Sequence, residues 1–217
     1  MKRFAFTLLE LVFVIIVIGI LAVLAMPNFN RDGLAEGTEQ LASHIRHAQH
    51  LAMVDDRFDP NHAQWYSEMW VLWVRQVSDV NNGGQNEWFY EVFSDRAAYN
   101  GNSTEEEEAT DPLTGESLGN GTLDNTVDDG KIINLTRNFG ITNVAFAGGT
   151  NVNGSTLRRV AFDNMGKPYR DADPNPNANW RNFLLTTDMN ISLTGSDGRI
   201  ARIIISPETG YVTTIIP

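Results

Sequence analysis

The chain has 217 residues, 42% of them hydrophobic and 20% charged, and a formal net charge of −11. That length suits one domain, or one domain with an anchor, and the composition excludes wholesale disorder. The absence of cysteine excludes disulfides, thiol nucleophiles and cysteine-ligated zinc, and the acidic balance argues against a general binder of phosphate backbones.

The first element is an apolar run over residues 6–26, FTLLELVFVIIVIGILAVLAM, broken only by Thr7, Glu10 and Gly19. As a helix it extends roughly 31 Å, about one hydrocarbon core. Lys2 and Arg3 precede it and favour a cytoplasmic N-terminus, with the remainder translocated. Leaving Lys2, Arg3 and Glu10 out of the balance puts that remainder at −12. The run fits a secretory signal peptide cut after Val23-Leu24-Ala25, or a plain single-pass anchor. Both must tolerate Glu10, and an acid at mid-membrane costs about 2.5–3.5 kcal/mol. A third reading gives Glu10 a role, since a buried carboxylate needs a cationic partner.

The segment Ala5-Phe6-Thr7-Leu8-Leu9-Glu10, followed by an unbroken apolar helix, resembles the N-terminus of type IV pilins and type II secretion pseudopilins. The resemblance implies prepilin peptidase cleavage between Ala5 and Phe6, N-methylation of Phe6, and an assembly role for Glu10 opposite the new amine. The family usually carries Gly before the cut, where this chain has Ala5. Proline removes a backbone donor and kinks helices, and Pro27 matches the proline many pilin-like chains carry here.

From Leu34 the pattern turns amphipathic. Leu34, Leu41, Ile45, Ala48 and Ala52 form one stripe, with Arg46, His47 and His50 opposite. This predicts a helix over about 28–55 that packs on a sheet and is ended by Asp59-Pro60-Asn61. His44, His47 and His50 fall at i, i+3 spacing on the polar flank. No carboxylate follows at helical spacing to orient them, so they read as a solvated face rather than a metal site.

Residues 68–77 and 87–94 read as strands joined by the turn Asn81-Asn82-Gly83-Gly84, the first apolar on both faces and therefore central. Residues 95–130 read as an acidic Gly/Asn-rich surface excursion containing Glu105–Glu108 and Asp111. Within it Asp124, Asp128 and Asp129 are weak calcium candidates without EF-hand spacing, set against a solvated acidic loop. Further strands are expected near 131–136, 142–147, 157–163, 182–194, 199–206 and 211–216. Asn164-Met165-Gly166-Lys167 and Pro207-Glu208-Thr209-Gly210 are turn sequences between them. Asp188-Met189-Asn190-Ile191-Ser192 matches an extended glycosylation sequon, but inside an expected strand.

The stretch 41–53, the segment Trp88–Asp95 with Gly101, and the sequences 160–169 and 202–214 around Gly166 and Gly210 look like corresponding segments of GspH/FimT-type minor pseudopilins. The expected fold is α+β of the type IV pilin-like kind: a long N-terminal helix, its hydrophobic half spanning the membrane, packed on a C-terminal antiparallel β domain. The implied parts are a cleaved basic leader (1–5), a transmembrane and assembly helix (6–26), the amphipathic half of that helix (27–58) and a β-rich periplasmic domain (59–217).

The resemblance implies a non-enzymatic minor pseudopilin or minor pilin of a type II secretion or type IV pilus machine, with no cofactor. Its expected place is the inner membrane, single-pass, with prepilin peptidase, other pilin or pseudopilin subunits and an inner-membrane assembly platform as partners. One alternative is a DNA-capturing minor pilin, for which Arg158, Arg159, Lys167 and Arg170 would have to form an exposed patch. Another is a periplasmic β domain behind a signal peptide. No Gly-x-Ser-x-Gly, phosphate-loop or His-Glu-x-x-His motif suggests an enzyme.

Overall fold

The computed structural model describes residues 8–25, 31–55, 58–61, 65, 68–79, 84–94, 103–119, 131–149, 158–170 and 180–217. The chain forms two compact units, Met1–Arg31 and Asp32–Pro217. The first contains helix α1, Leu8–Ala25, whose side chains from Leu8 to Ile20 are all exposed. No helix among the described residues is long and apolar enough to cross a membrane. The expected single-pass inner-membrane placement, cytoplasmic at its N-terminus and periplasmic beyond, is therefore not upheld.

The second unit opens with α2, Gly33–Val54. Asp32 caps it, its carboxylate accepting from Ala35 N at 3.2 Å and satisfying a first-turn donor. Gly33 and Gly37 let Phe139 approach; a Cβ on Gly33 would sit 2.6 Å from the Phe139 carbonyl. The stripe Leu34, Leu41, Ile45, Ala48 and Ala52 is buried, as its spacing requires. The helix ends at Val54, and Asp59 stands beyond it in a local turn, accepting from Asn61 N at 2.8 Å.

Two antiparallel four-stranded sheets follow. In the first, β1 (Trp70–Asp79), β2 (Gln85–Phe93), β4 (Arg158–Phe162) and β5 (Pro168–Arg170) lie in the order β2-β1-β4-β5. In the second, β3 (Ile141–Gly148), β6 (Met189–Gly195), β7 (Ile200–Ile205) and β8 (Val212–Ile215) lie in the order β3-β6-β7-β8. The main core gathers the α2 stripe with Leu72, Tyr90 and Val160 of one sheet and Val144, Ile191 and Ile203 of the other. A smaller core on the opposite side of β1 joins Met69, Val71, Phe93, Ala161 and Tyr169. β1 is thus central and covered on both faces.

The expected single long helix packed on one β domain is corrected by this architecture. The helices are separate: Arg31 and Asp32 are not helical, and α2 starts afresh behind its own cap at Asp32. The 22-residue α2 packs on the sheets, in a chain that is mostly antiparallel sheet. Three smaller expectations also change. Residues 131–136 are no strand, because Asn134 caps a short helix α3 (Leu135–Phe139) that ends at Gly140 in the left-handed conformation, φ 66°. Local cap chemistry here outweighs the β-branched Ile132 and Ile133. Residues 180–183 form a 3₁₀ turn, and β6 starts only at Met189. Within the 95–130 excursion, residues 103–119 fold back with Ala109 and Leu118 buried. Their backbone bonds along β2: Val92 N donates to Leu118 O at 2.8 Å and Ala109 N to Val92 O at 2.8 Å.

Candidate functional site

In α1 the apolar side chains from Leu8 to Ile20 lie on every side of the helix and all are exposed: Leu8 is 82% exposed, Phe13 68% and Val17 38%. A helix stabilised by its own amphipathicity buries one stripe; this one has none to bury within its unit. Glu10 sits in its first turn, where unsatisfied N–H groups favour a carboxylate. Ala5, Phe6 and Pro27, named with Glu10 from the sequence, lie outside the described residues.

The two turn glycines singled out from the sequence meet in space. Gly166 (φ 75°) and Gly210 (φ 63°) come from turns of different sheets. Gln49 of α2 joins them, its Nε2 donating to Gly166 O at 2.9 Å and to Thr209 O at 2.8 Å. A Cβ on Gly210 would overlap Gln49 Nε2 and stand 2.9 Å from Gly166 O. Both glycines are therefore fixed by a close approach as well as by their dihedral angles.

A second cluster holds the returning excursion to the helix. His44 is buried, not solvated. Its Nδ1 lies 2.6 Å from Tyr90 Oη and its Nε2 3.5 Å from Asp111 Oδ1. Gln40 Nε2 donates to the same Tyr90 oxygen at 2.9 Å. With Asp111 ionised, the consistent arrangement has Nε2–H facing Asp111 and Nδ1 accepting from the Tyr90 hydroxyl. Burial lowers the His44 pKa despite the opposing pull of Asp111. Burial pushes the Tyr90 phenol far above its ordinary range. Burial would raise Asp111 too, but the Thr114 hydroxyl and the N–H groups of Leu113 and Thr114 outweigh it and hold the carboxyl low. His47 adds a bond to Thr110 O at 3.1 Å.

The other face of the first sheet carries buried charge. Glu87 binds Arg137 Nε at 2.7 Å and Asn134 Nδ2 at 2.9 Å. Burial raises the Glu91 pKa, offset in part by Arg75 at 3.4 Å. Arg159 is buried with its guanidinium 3.8 Å from the centre of the Trp73 ring, and Arg158 lies over Trp88 at 4.8 Å. Arg170 donates to Gly148 O. Three of the four cations weighed for DNA capture, Arg158, Arg159 and Arg170, thus make separate contacts within the fold.

Asp124, Asp128, Asp129 and His62 lie outside the described residues, and no group of three metal-binding side chains forms among the described ones. The sequon residue Asn190 lies in β6, half-buried. Sequence reasoning missed Gln40, His44 and Gln49 as contact residues. Their polar character at flanking positions gave no sign that loops would cross over them. Comparison with known proteins found no matching family model, no similar curated protein and no similar solved structure.

Proposed function

We propose that the chain is a minor subunit of a pilin-type filament, of the kind built by type II secretion or type IV pilus machines. A prepilin peptidase cuts between Ala5 and Phe6, and α1 is the element through which the subunit joins its neighbours. The observation that supports this most directly is the α1 surface from Leu8 to Ile20: apolar all round and exposed, with Glu10 as its one ionisable group. Packing among helices of neighbouring subunits would remove that surface from water at about 25 cal/mol per Å². A Glu10 carboxylate carried into such an interior needs a cation, and the amine of a processed Phe6 supplies one. Pairing in a single register would set the stagger. The reading assigns the chain no catalysis.

The test is mass analysis of the N-terminus after co-expression with a prepilin peptidase. A chain beginning at methylated Phe6 is expected; one beginning at Met26 would refute the reading. Glu10→Ala should be processed normally yet enter filaments at least tenfold less often, and undiminished incorporation would remove the pairing role.

A further inference from the structure

We infer that the outer edge of β3 is a docking site for an extended strand donated by another polypeptide. The inference concerns the second unit alone and does not depend on the filament reading.

The four outer edges of the two sheets are treated differently. β2 is lined by residues 107–118 and by the bond from Tyr90 N to Ile133 O at 3.2 Å. β5 is met by the bridge Tyr169–Leu184 and by Leu185 N donating to Pro168 O at 3.0 Å. β8 is met by α2, whose Arg46 donates to Val212 O at 3.1 Å. Among the described residues β3 pairs with β6 on one side only.

Antiparallel pairing alternates, so the groups left over on β3 can be assigned. Gly149 N donates to Asp188 O, which makes 149 and 188 a hydrogen-bonded pair. Gly148, Phe146 and Val144 then turn their N–H and C=O groups outward, and Ala147 and Ala145 turn theirs to β6. Two side-chain contacts agree with this phase: Arg170 donates to Gly148 O, and the Trp88 indole donates to Thr142 O at 3.0 Å. Between these end contacts, Val144 and Phe146 keep outward donors and acceptors with no hydrogen-bond partner among the described residues.

Proteins blunt such edges with Lys, Pro or a covering segment. Residues 141–148, Ile-Thr-Asn-Val-Ala-Phe-Ala-Gly, contain no charge and no proline. The flanking side chains are small: Ala145 and Ala147 are exposed, with Ser192 and Asn190 opposite them on β6. Arg202, paired with Ser192, brings one charge to that row. Between Trp88 and Arg170, which hold the two ends of the edge, no large side chain flanks Val144 and Phe146 on that row.

The edge itself specifies its occupant. Backbone donors and acceptors at strand spacing are matched by another extended backbone. A second copy is the poorer fit. Two β3 edges would set the small Ala145, Ala147 and Gly148 against the same small residues, between bodies of like charge. A heterologous segment brings larger alternating side chains of its own.

The probe is the capped heptapeptide Met-Asn-Ile-Ser-Leu-Thr-Gly, the β6 sequence that β3 already pairs, added at millimolar concentration to the full chain. Amide hydrogen exchange is read residue by residue. Exchange at Val144 and Phe146 should slow at least tenfold, and a peptide N-methylated at alternate residues should leave it unchanged. Ala145→Lys, which places a charge beside the edge, and Phe146→Pro, which removes an outward N–H without breaking the β6 ladder, should each abolish the slowing while the far-ultraviolet spectrum is retained. No slowing, slowing confined to other amides, or equal slowing by the methylated peptide would overturn the proposal. So would protection of these two amides in the free chain, whether constant or rising with protein concentration, since the edge would then already be occupied by the chain itself or by a second copy.

Discussion

Replacing Gly210 by alanine tests whether α2 holds the two sheets together through Gln49. Two costs add at this position. Alanine at φ 63° must take a left-handed conformation, at about 1–2 kcal/mol. Its Cβ also occupies the place of Gln49 Nε2, so the bonds to Gly166 O and Thr209 O are lost at about 0.5–1.5 kcal/mol each. The sum is roughly 2–5 kcal/mol, or a fall in Tm of about 4–20 °C for a chain of this size. Gly198 supplies the control: its φ is 82°, but a Cβ there meets nothing within 4 Å, so Gly198→Ala should show the strain alone. Urea denaturation of both variants, and of each combined with Gln49→Ala, completes the cycle. With Gln49 already removed, Gly210→Ala should cost about what Gly198→Ala does, a coupling of roughly 1–3 kcal/mol. Equal costs for the two glycines in the parent chain, or no coupling, would refute the clamp.

Other contacts give further tests. His44 is held neutral, with a folded pKa below its unfolded value of about 6.5. Its contribution is therefore complete above that value and lost as pH falls toward the folded pKa. Stability of the parent should decline faster than that of His44→Gln between pH 6.5 and 5, and parallel curves would contradict the assignment. Arg137→Leu removes the cation 2.7 Å from buried Glu87 and should destabilise by roughly 3 kcal/mol in urea titrations, with Glu87→Gln restoring part of the loss. Ile45→Ala empties a fully buried position of the α2 stripe, and calorimetry should show a loss of about 2–5 kcal/mol.

What the sequence reveals here follows from which interactions are periodic. The α2 stripe and the doubly apolar β1 repeat at fixed spacing, and both stand where that spacing puts them. The turn glycines at 166 and 210 are legible as turns, because positive φ leaves a local signature. That they meet is not legible, since Gln49 lies 117 and 161 residues away from them in the chain. His44 was misjudged for a related reason. Amphipathicity assigns polar flank residues to solvent, and nothing local reports that 103–119 returns to cover them. The continuous long helix failed because an apolar run followed by an amphipathic one reads as a single element. The cap at Asp32, tied to Arg199 at 2.9 Å, starts a new one.

The two uncovered surfaces call for partners of different chemistry. α1 offers side-chain area and almost no free backbone, so whatever covers it does so by apolar packing, which salt barely weakens and cold reduces. The β3 edge offers backbone groups flanked by alanine, so its occupant is held by hydrogen bonds whose geometry tolerates many sequences. The surfaces therefore separate by substitution. Glu10→Ala should disturb assembly through α1 and leave Val144 and Phe146 exchange untouched. Ala145→Lys should close the edge and leave N-terminal processing and α1 packing intact. A variant at one surface that altered both readouts would mean that one partner spans both, and the two would then have to be treated as a single interface.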